Sequence, residues 1–108
     1  MTSNDFYCNF VLNQKISIDK IHETNNVLAY KHTNPRWSLH YVVIPKQHIK
    51  DIYSCPNWLI PELIDVVSKV ALKVEAKYGA CRILTNIGNY QDSKHLHWHL
   101  YVEQNEYR

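Results

Sequence analysis

His95-Leu96-His97-Trp98-His99-Leu100-Tyr101 is the stretch that decides how this chain reads. Imidazole and large apolar side chains alternate along it. Strand side chains point to opposite faces in turn. His95, His97, His99 and Tyr101 therefore share one face, and Leu96, Trp98, Leu100 and Val102 share the other. The second face is apolar enough to enter a core. The first sets three imidazoles in a row, with alternate Cβ atoms about 7 Å apart. His95 to Glu103 is expected to be the last strand.

Working outward, Ser38 to Ile44 is rich in β-branched and aromatic residues and reads as a strand. Pro45 ends it, having no N–H to donate. His40 alternates with Val42 and Ile44, so a neighbouring position for this strand brings a fourth imidazole to the row. Four adjacent imidazoles cannot all be protonated cheaply, because like charges disfavour one another. Spacing alone leaves two chemistries equally open. One is nucleophilic attack on a bound phosphoryl group, and the other is a three-histidine zinc site. Solvated polar residues on a wet strand face would explain one histidine, but three in strict alternation are poorly explained that way.

The rest of the chain supplies a scaffold. Pro61 to Tyr78 is predicted as the one long helix, with Leu63, Val66, Val67, Val70, Val74 and Tyr78 on its apolar stripe. Pro61 suits its first turn and Gly79 the position just past its end. Ile18 to Glu23 and Val27 to Lys31 flank Thr24-Asn25-Asn26 and read as a hairpin, since asparagine tolerates left-handed backbone. Cys81 to Thr85 is a further strand. Asn86 to Lys94 is a polar loop. Phe6, Tyr7, Phe10, Val11 and Leu12 give the N-terminus an apolar start that should pack on the body. The expected fold class is α+β: one domain over 1–108, an antiparallel sheet of about five strands with one main helix on a face.

Composition narrows the function classes. The 108 residues are 45% hydrophobic and carry a formal net charge of +2 with no basic run, which does not suggest a nucleic-acid binder. No apolar run reaches membrane-spanning length, and the N-terminus lacks the pattern of a signal peptide. Cys8, Cys55 and Cys81 are odd in number and lack CxxC spacing, so reduced thiols and a cytoplasmic location are expected.

Three further segments join the histidine strand in a resemblance. His95 to Tyr101 fits the His-φ-His-φ-His-φ-φ motif of the histidine triad (HIT) family, where φ is hydrophobic. Leu39 to Ile49 resembles that family's strand ending in Ile-Pro-Lys-x-His. Thr85-Asn86-Ile87-Gly88 resembles its Asn-x-Gly stretch, and Val27-Leu28-Ala29-Tyr30 is similar to its Val-Leu-Ala-Phe strand. The resemblance implies a HIT-like fold and a homodimer with joined sheets. It also implies a hydrolase or nucleotidyl transferase nearest to the purine nucleoside phosphoramidases. By position, His97 resembles the nucleophile, and His99 and His40 its helpers around the phosphate. His95 resembles the residue that supports the nucleophile through its backbone. Asn86 and Gln91 resemble nucleotide contacts, and Tyr7 is counted with them.

The chain departs from that pattern at four places. His32 stands where many members have a ribose-binding aspartate, and it lacks the bidentate acceptor of a carboxylate. Arg36 and Trp37, in the same loop, are candidates for a phosphate contact and a stacking surface. Tyr90-Gln91-Asp92 replaces a Gly-Gln-Ser/Thr stretch; Asp92 would repel a phosphate or bind an amine, which points to altered substrate choice or a cationic leaving group. Some relatives hold a structural zinc through an N-terminal CxxC and two histidines. Here Cys8, His48 and His95 remain, with Asp5 in the place of the first cysteine, so the leading expectation is no metal and no cofactor. Finally, the chain stops at Arg108, soon after the triad; Tyr107 and Arg108 are candidates to reach a partner subunit's site.

The expected function is therefore attack of His97 on the phosphorus of a purine nucleotide conjugate through a nucleotidyl-histidine. The alternatives are a non-catalytic purine nucleotide-binding protein on the same fold and a three-histidine metal-binding protein.

Overall fold

A computed structural model describes residues 7–103, with nothing described for the side chains of 9 and 10. The expectations for Asp5, Phe6, Tyr107 and Arg108 lie outside the described residues. Five strands are present: β1 (Lys20–Glu23), β2 (Val27–Lys31), β3 (Leu39–Pro45), β4 (Arg82–Thr85) and β5 (Trp98–Val102). Helix α1 (Ile60–Tyr78) lies between β3 and β4. The sheet runs β1-β2-β3-β5-β4, with every neighbour antiparallel. This is the expected α+β architecture. No helix among the described residues is long and apolar enough to cross a membrane.

The two faces of the sheet have different covers. On one, Val27, Ala29, Val43, Leu96, Trp98, Leu100 and Val102 pack against Leu63, Val66, Val67, Val70 and Val74 of α1. Each such buried aliphatic group stabilises the fold by about 1.5–3 kcal/mol. Tyr78, the last expected member of the stripe, is instead 39% exposed, because the helix end carries it beyond the sheet. Gly79 then takes φ 86° and its N–H reaches back to the Glu75 carbonyl, closing the helix. On the other face, Leu28, Tyr30, Val42 and Ile44 lie under Tyr7 and Val11, which belong to a π-helical turn (Tyr7–Val11). Of the apolar N-terminal residues, Tyr7, Val11 and Leu12 pack on the body, and the expectation for the Phe10 side chain lies outside the described residues.

Several expectations shift: β3 runs Leu39–Pro45 and β4 begins at Arg82, each one residue later than expected, and β1, the hairpin turn and β5 differ further. β1 begins at Lys20 and not Ile18, and a register irregularity falls between Lys20 and His22. Neither asparagine of the hairpin turn is left-handed: among the described residues Gln14 alone of the non-glycines has positive φ. The turn is instead tied to α1, where the Glu62 carboxylate accepts from Thr24 Oγ1, Asn26 N and Asn26 Nδ2. β5 begins at Trp98, not His95. Continuing the β3–β5 register, which pairs Val43 with Trp98, would set Leu96 opposite Pro45, which has no N–H. Leu96 N donates to the Ile49 carbonyl at 2.6 Å instead, so His95 to His97 approach the sheet as an extended lead-in.

Candidate active site

The lead-in and β5 hold the imidazoles at two depths. His95 is fully buried, and its Nε2–H donates to the Pro45 carbonyl at 2.8 Å. The carbonyl of His95 in turn accepts from His97 Nδ1–H at 2.7 Å. A carbonyl can only accept, so the Nδ1 of His97 carries the proton and its Nε2 keeps a lone pair. Thr85 Oγ1 donates to the carbonyl of His97 at 2.7 Å, so β4 also fixes this segment. The Tyr7 ring packs on His97 with centroids 4.9 Å apart.

The second group is set the opposite way. Val42 pairs with His99 and His40 with Tyr101, so β3 and β5 bring His40 beside His99. The Arg36 backbone N–H donates to His40 Nδ1 at 3.3 Å, which leaves the proton of a neutral His40 on Nε2. That N–H faces His99 Nδ1 at 2.7 Å. His99 accepts there, so its own Nε2 carries a proton outward. His32 stacks on His40 at 4.1 Å, and its Nδ1 accepts from the Asn34 N–H at 3.0 Å. Burial, reinforced by the neighbouring imidazoles and Arg36, lowers His40 to about 3 and His99 to about 4. His32 is lowered for the same first cause. All three are neutral at pH 7 in the absence of an anion.

A cavity of about 290 Å³ opens over these rings, lined by Tyr7, His32, Arg36, Asp92, His97 and His99, with Thr33, Asn34 and Ser93 completing it. The structure thus brings together six of the candidates named from sequence: His97, His99, His32, Tyr7, Asp92 and Arg36. His40 and His95 stand behind the lining and orient it. Two are corrected. Gln91 is buried and turned away, its amide donating to the Lys50 carbonyl at 2.7 Å and to the Ser93 carbonyl at 3.4 Å; this satisfies loop backbone and leaves no amide facing the cavity. Asn86, half-buried just past β4, is not among the lining residues. Trp37 stacks on Tyr101 at 3.6 Å with its edge toward His40, and so backs the histidines without lining the cavity.

Two features escaped the sequence. Asp92 does not confront the cavity as a bare charge, because Arg36 Nη2 meets it at 2.7 Å across 56 positions of chain. Ser93, a buried hydroxyl residue, lines the cavity one position beyond the place where a hydroxyl was sought. Reading one residue further along the loop finds it; the ion pair has no local signal.

Beside the cavity, Cys8 Sγ lies 3.3 Å from His95 Nδ1 and 3.8 Å from His48 Nδ1. Their ligand atoms fall within 4.8 Å of one another. A thiol and two imidazoles are zinc donors, and the bond from His95 Nε2–H to a backbone carbonyl is the usual support for a ligating imidazole. The donors fit a zinc ion as three of its ligands. The trio His32, His40 and His99 is equally close. There, however, backbone N–H groups occupy Nδ1 of His32 and of His40, leaving protons on the nitrogens a metal would need.

Comparison with known proteins bears on the family and the fold. The HIT domain model matches residues 13–106. An uncharacterised HIT-like protein of Helicobacter pylori is 30% identical over 92 residues, covering 83% of this chain and 88% of its own. A HIT family hydrolase of Clostridium thermocellum superposes with a TM-score of 0.74 at 30% identity, covering 94% and 91%. The solved structure described as a hypothetical histidine triad nucleotide-binding protein of Sulfolobus tokodaii gives 0.82 at 29%, covering 90% and 67%.

Proposed function

The chain belongs to the HIT family, and from that premise we propose that it hydrolyses purine nucleotide conjugates, phosphoramidates foremost, through a nucleotidyl group carried on His97. The observation that carries this is the bond from His97 Nδ1–H to the His95 carbonyl, which leaves Nε2 as a neutral nucleophile on a ring lining the cavity. A hydrolase among the similar structures supports the reaction type. A nucleotide-binding relative supports the ligand class.

The reaction divides into two displacements. In the first, Nε2 of His97 forms a bond to phosphorus and the bond from phosphorus to the departing nitrogen breaks. That nitrogen leaves as an amine, with a proton taken from solvent. In the second, water attacks the same phosphorus, the bond to Nε2 breaks, and one proton returns to solvent. A nucleoside monophosphate departs. The outward Nε2–H of His99 stabilises charge on the phosphoryl oxygens, and His40 holds His99 in the tautomer that permits this.

Cys8, His48 and His95 would hold a zinc ion, were one bound, as a structural tie between the N-terminal turn and the lead-in. For the working assembly we propose a homodimer. β4 ends the sheet, and Ile64, Leu72 and Ile83 are exposed on α1 and β4.

The test is release of nucleoside monophosphate from an adenosine or guanosine 5′-phosphoramidate by the full chain. Turnover that disappears with His97→Ala supports the proposal. Binding without turnover of any conjugate would leave a nucleotide-binding protein, and loss of turnover on chelation would favour a metal-dependent reaction.

A further inference from the structure

Of the described residues lining the triad cavity, Arg36 and Asp92 alone carry a full charge at neutral pH, the histidines aside. They arrive from different loops, one between β2 and β3 and one between β4 and β5, and meet at 2.7 Å. Their side chains are 66% and 76% exposed, so the bridge contributes little to stability. Nor is it needed to place the Arg36 backbone, whose N–H is already fixed on His40 Nδ1. What the pair does do is set two opposite charges at the cavity mouth, close to the ring that attacks.

We propose that this pair selects the charge of the leaving group. Resting on the reaction proposed at His97, the selection works by exchange. The phosphoryl anion draws Arg36 off Asp92, and the released carboxylate faces the departing group. A leaving group bearing a second amine, positively charged at neutral pH, replaces Arg36 as the partner of Asp92. A leaving group that is itself a chain of phosphates meets the carboxylate as a like charge and competes with it for Arg36. The favoured substrates are zwitterionic: an anionic phosphorus joined to a cationic amine. Two unit charges about 5 Å apart at a partly exposed site interact enough to shift a rate constant by roughly tenfold.

The experiment compares kcat/KM for three AMP conjugates with the full chain: a phosphoramidate of a diamine, a phosphoramidate of an uncharged alkylamine of equal length, and a diadenosine polyphosphate. The native protein is expected to prefer the diamine conjugate over the uncharged one by about tenfold and over the polyphosphate by more. Asp92→Asn brings the first ratio close to one. Arg36→Gln raises it, because Asp92 then lacks its internal partner. The native ratio also shrinks as sodium chloride rises from about 0.05 to about 0.5 M, a readout that needs no variant. Opposite movement by the two variants is the signature, since mere damage to the mouth moves both ratios together or neither. A ratio unaffected by Asp92→Asn and by salt overturns charge selection while leaving turnover at His97 intact. No turnover of any conjugate overturns the His97 reaction and charge selection with it.

Discussion

The imidazoles of this protein fall into two groups that are bound in opposite senses. His95 and His97 each donate a ring N–H to a backbone carbonyl, those of Pro45 and His95. His32 and His40 each accept from a backbone N–H, those of Asn34 and Arg36, and His40 passes its remaining proton toward His99. The first arrangement leaves a lone pair on the ring of His97. The second leaves an N–H on His99. One residue type therefore presents both a bare lone pair and an N–H to one cavity, the two features the proposed reaction needs, and the backbone decides which ring presents which. A sequence motif of three histidines cannot state that difference; the partners of each ring do.

The comparison breaks most visibly at His97. Replacing it by alanine should lower nucleoside monophosphate release by at least about a thousandfold, with the far-ultraviolet circular dichroism spectrum retained. Comparable turnover by the variant would show that the lone pair is not used. His99→Ala should cost about a hundredfold in kcat, the scale of one lost preorganised donor, and less than the nucleophile. An equal or greater loss would erase the proposed division of labour.

A pH series sharpens the second group. His40 and His99 have pKa values of about 3 and about 4 in the fold, below the ordinary 6.5. As pH falls, the unfolded chain takes up these protons first, so the stability they contribute is complete above about pH 6.5 and is lost as pH drops toward 4 and then 3. Thermal melts should show the midpoint falling across that window, and His99→Asn should make the slope shallower. A midpoint that rises on acidification would mean the cluster is charged in the native state. Gln91→Leu tests a residue outside the cavity lining. It strands the Lys50 carbonyl and should cost about 1–3 kcal/mol in denaturant unfolding at an unchanged KM. A raised KM at unchanged stability would return Gln91 to the nucleotide.

Much of the fold is legible because periodicity and burial agree. The helix stripe from Leu63 to Val74 and the apolar face from Leu96 to Val102 meet in one core, as alternation and helical spacing imply. That His97 and His99 open on one cavity is also legible from their alternation, although His95, in the lead-in before β5, sits deeper. What sequence could not give depends on contacts between distant segments. Glu62 secures a hairpin turn that two asparagines appeared able to make alone. Pro45 shortens β5 by denying Leu96 a partner. Arg36 neutralises Asp92 from a loop 56 positions away. Gln91 turns inward because loop carbonyls lie there, a competition that the order of residues does not record.

Rapid mixing of the protein with an adenosine 5′-phosphoramidate, acid-free quenching and intact-mass spectrometry with peptide mapping addresses the His97 chemistry most directly. A single nucleotidyl group on the peptide holding His97, formed and lost at rates compatible with turnover and absent from His97→Ala, is the predicted result. Turnover with no such adduct at any mixing time, or an adduct on another residue, would contradict it.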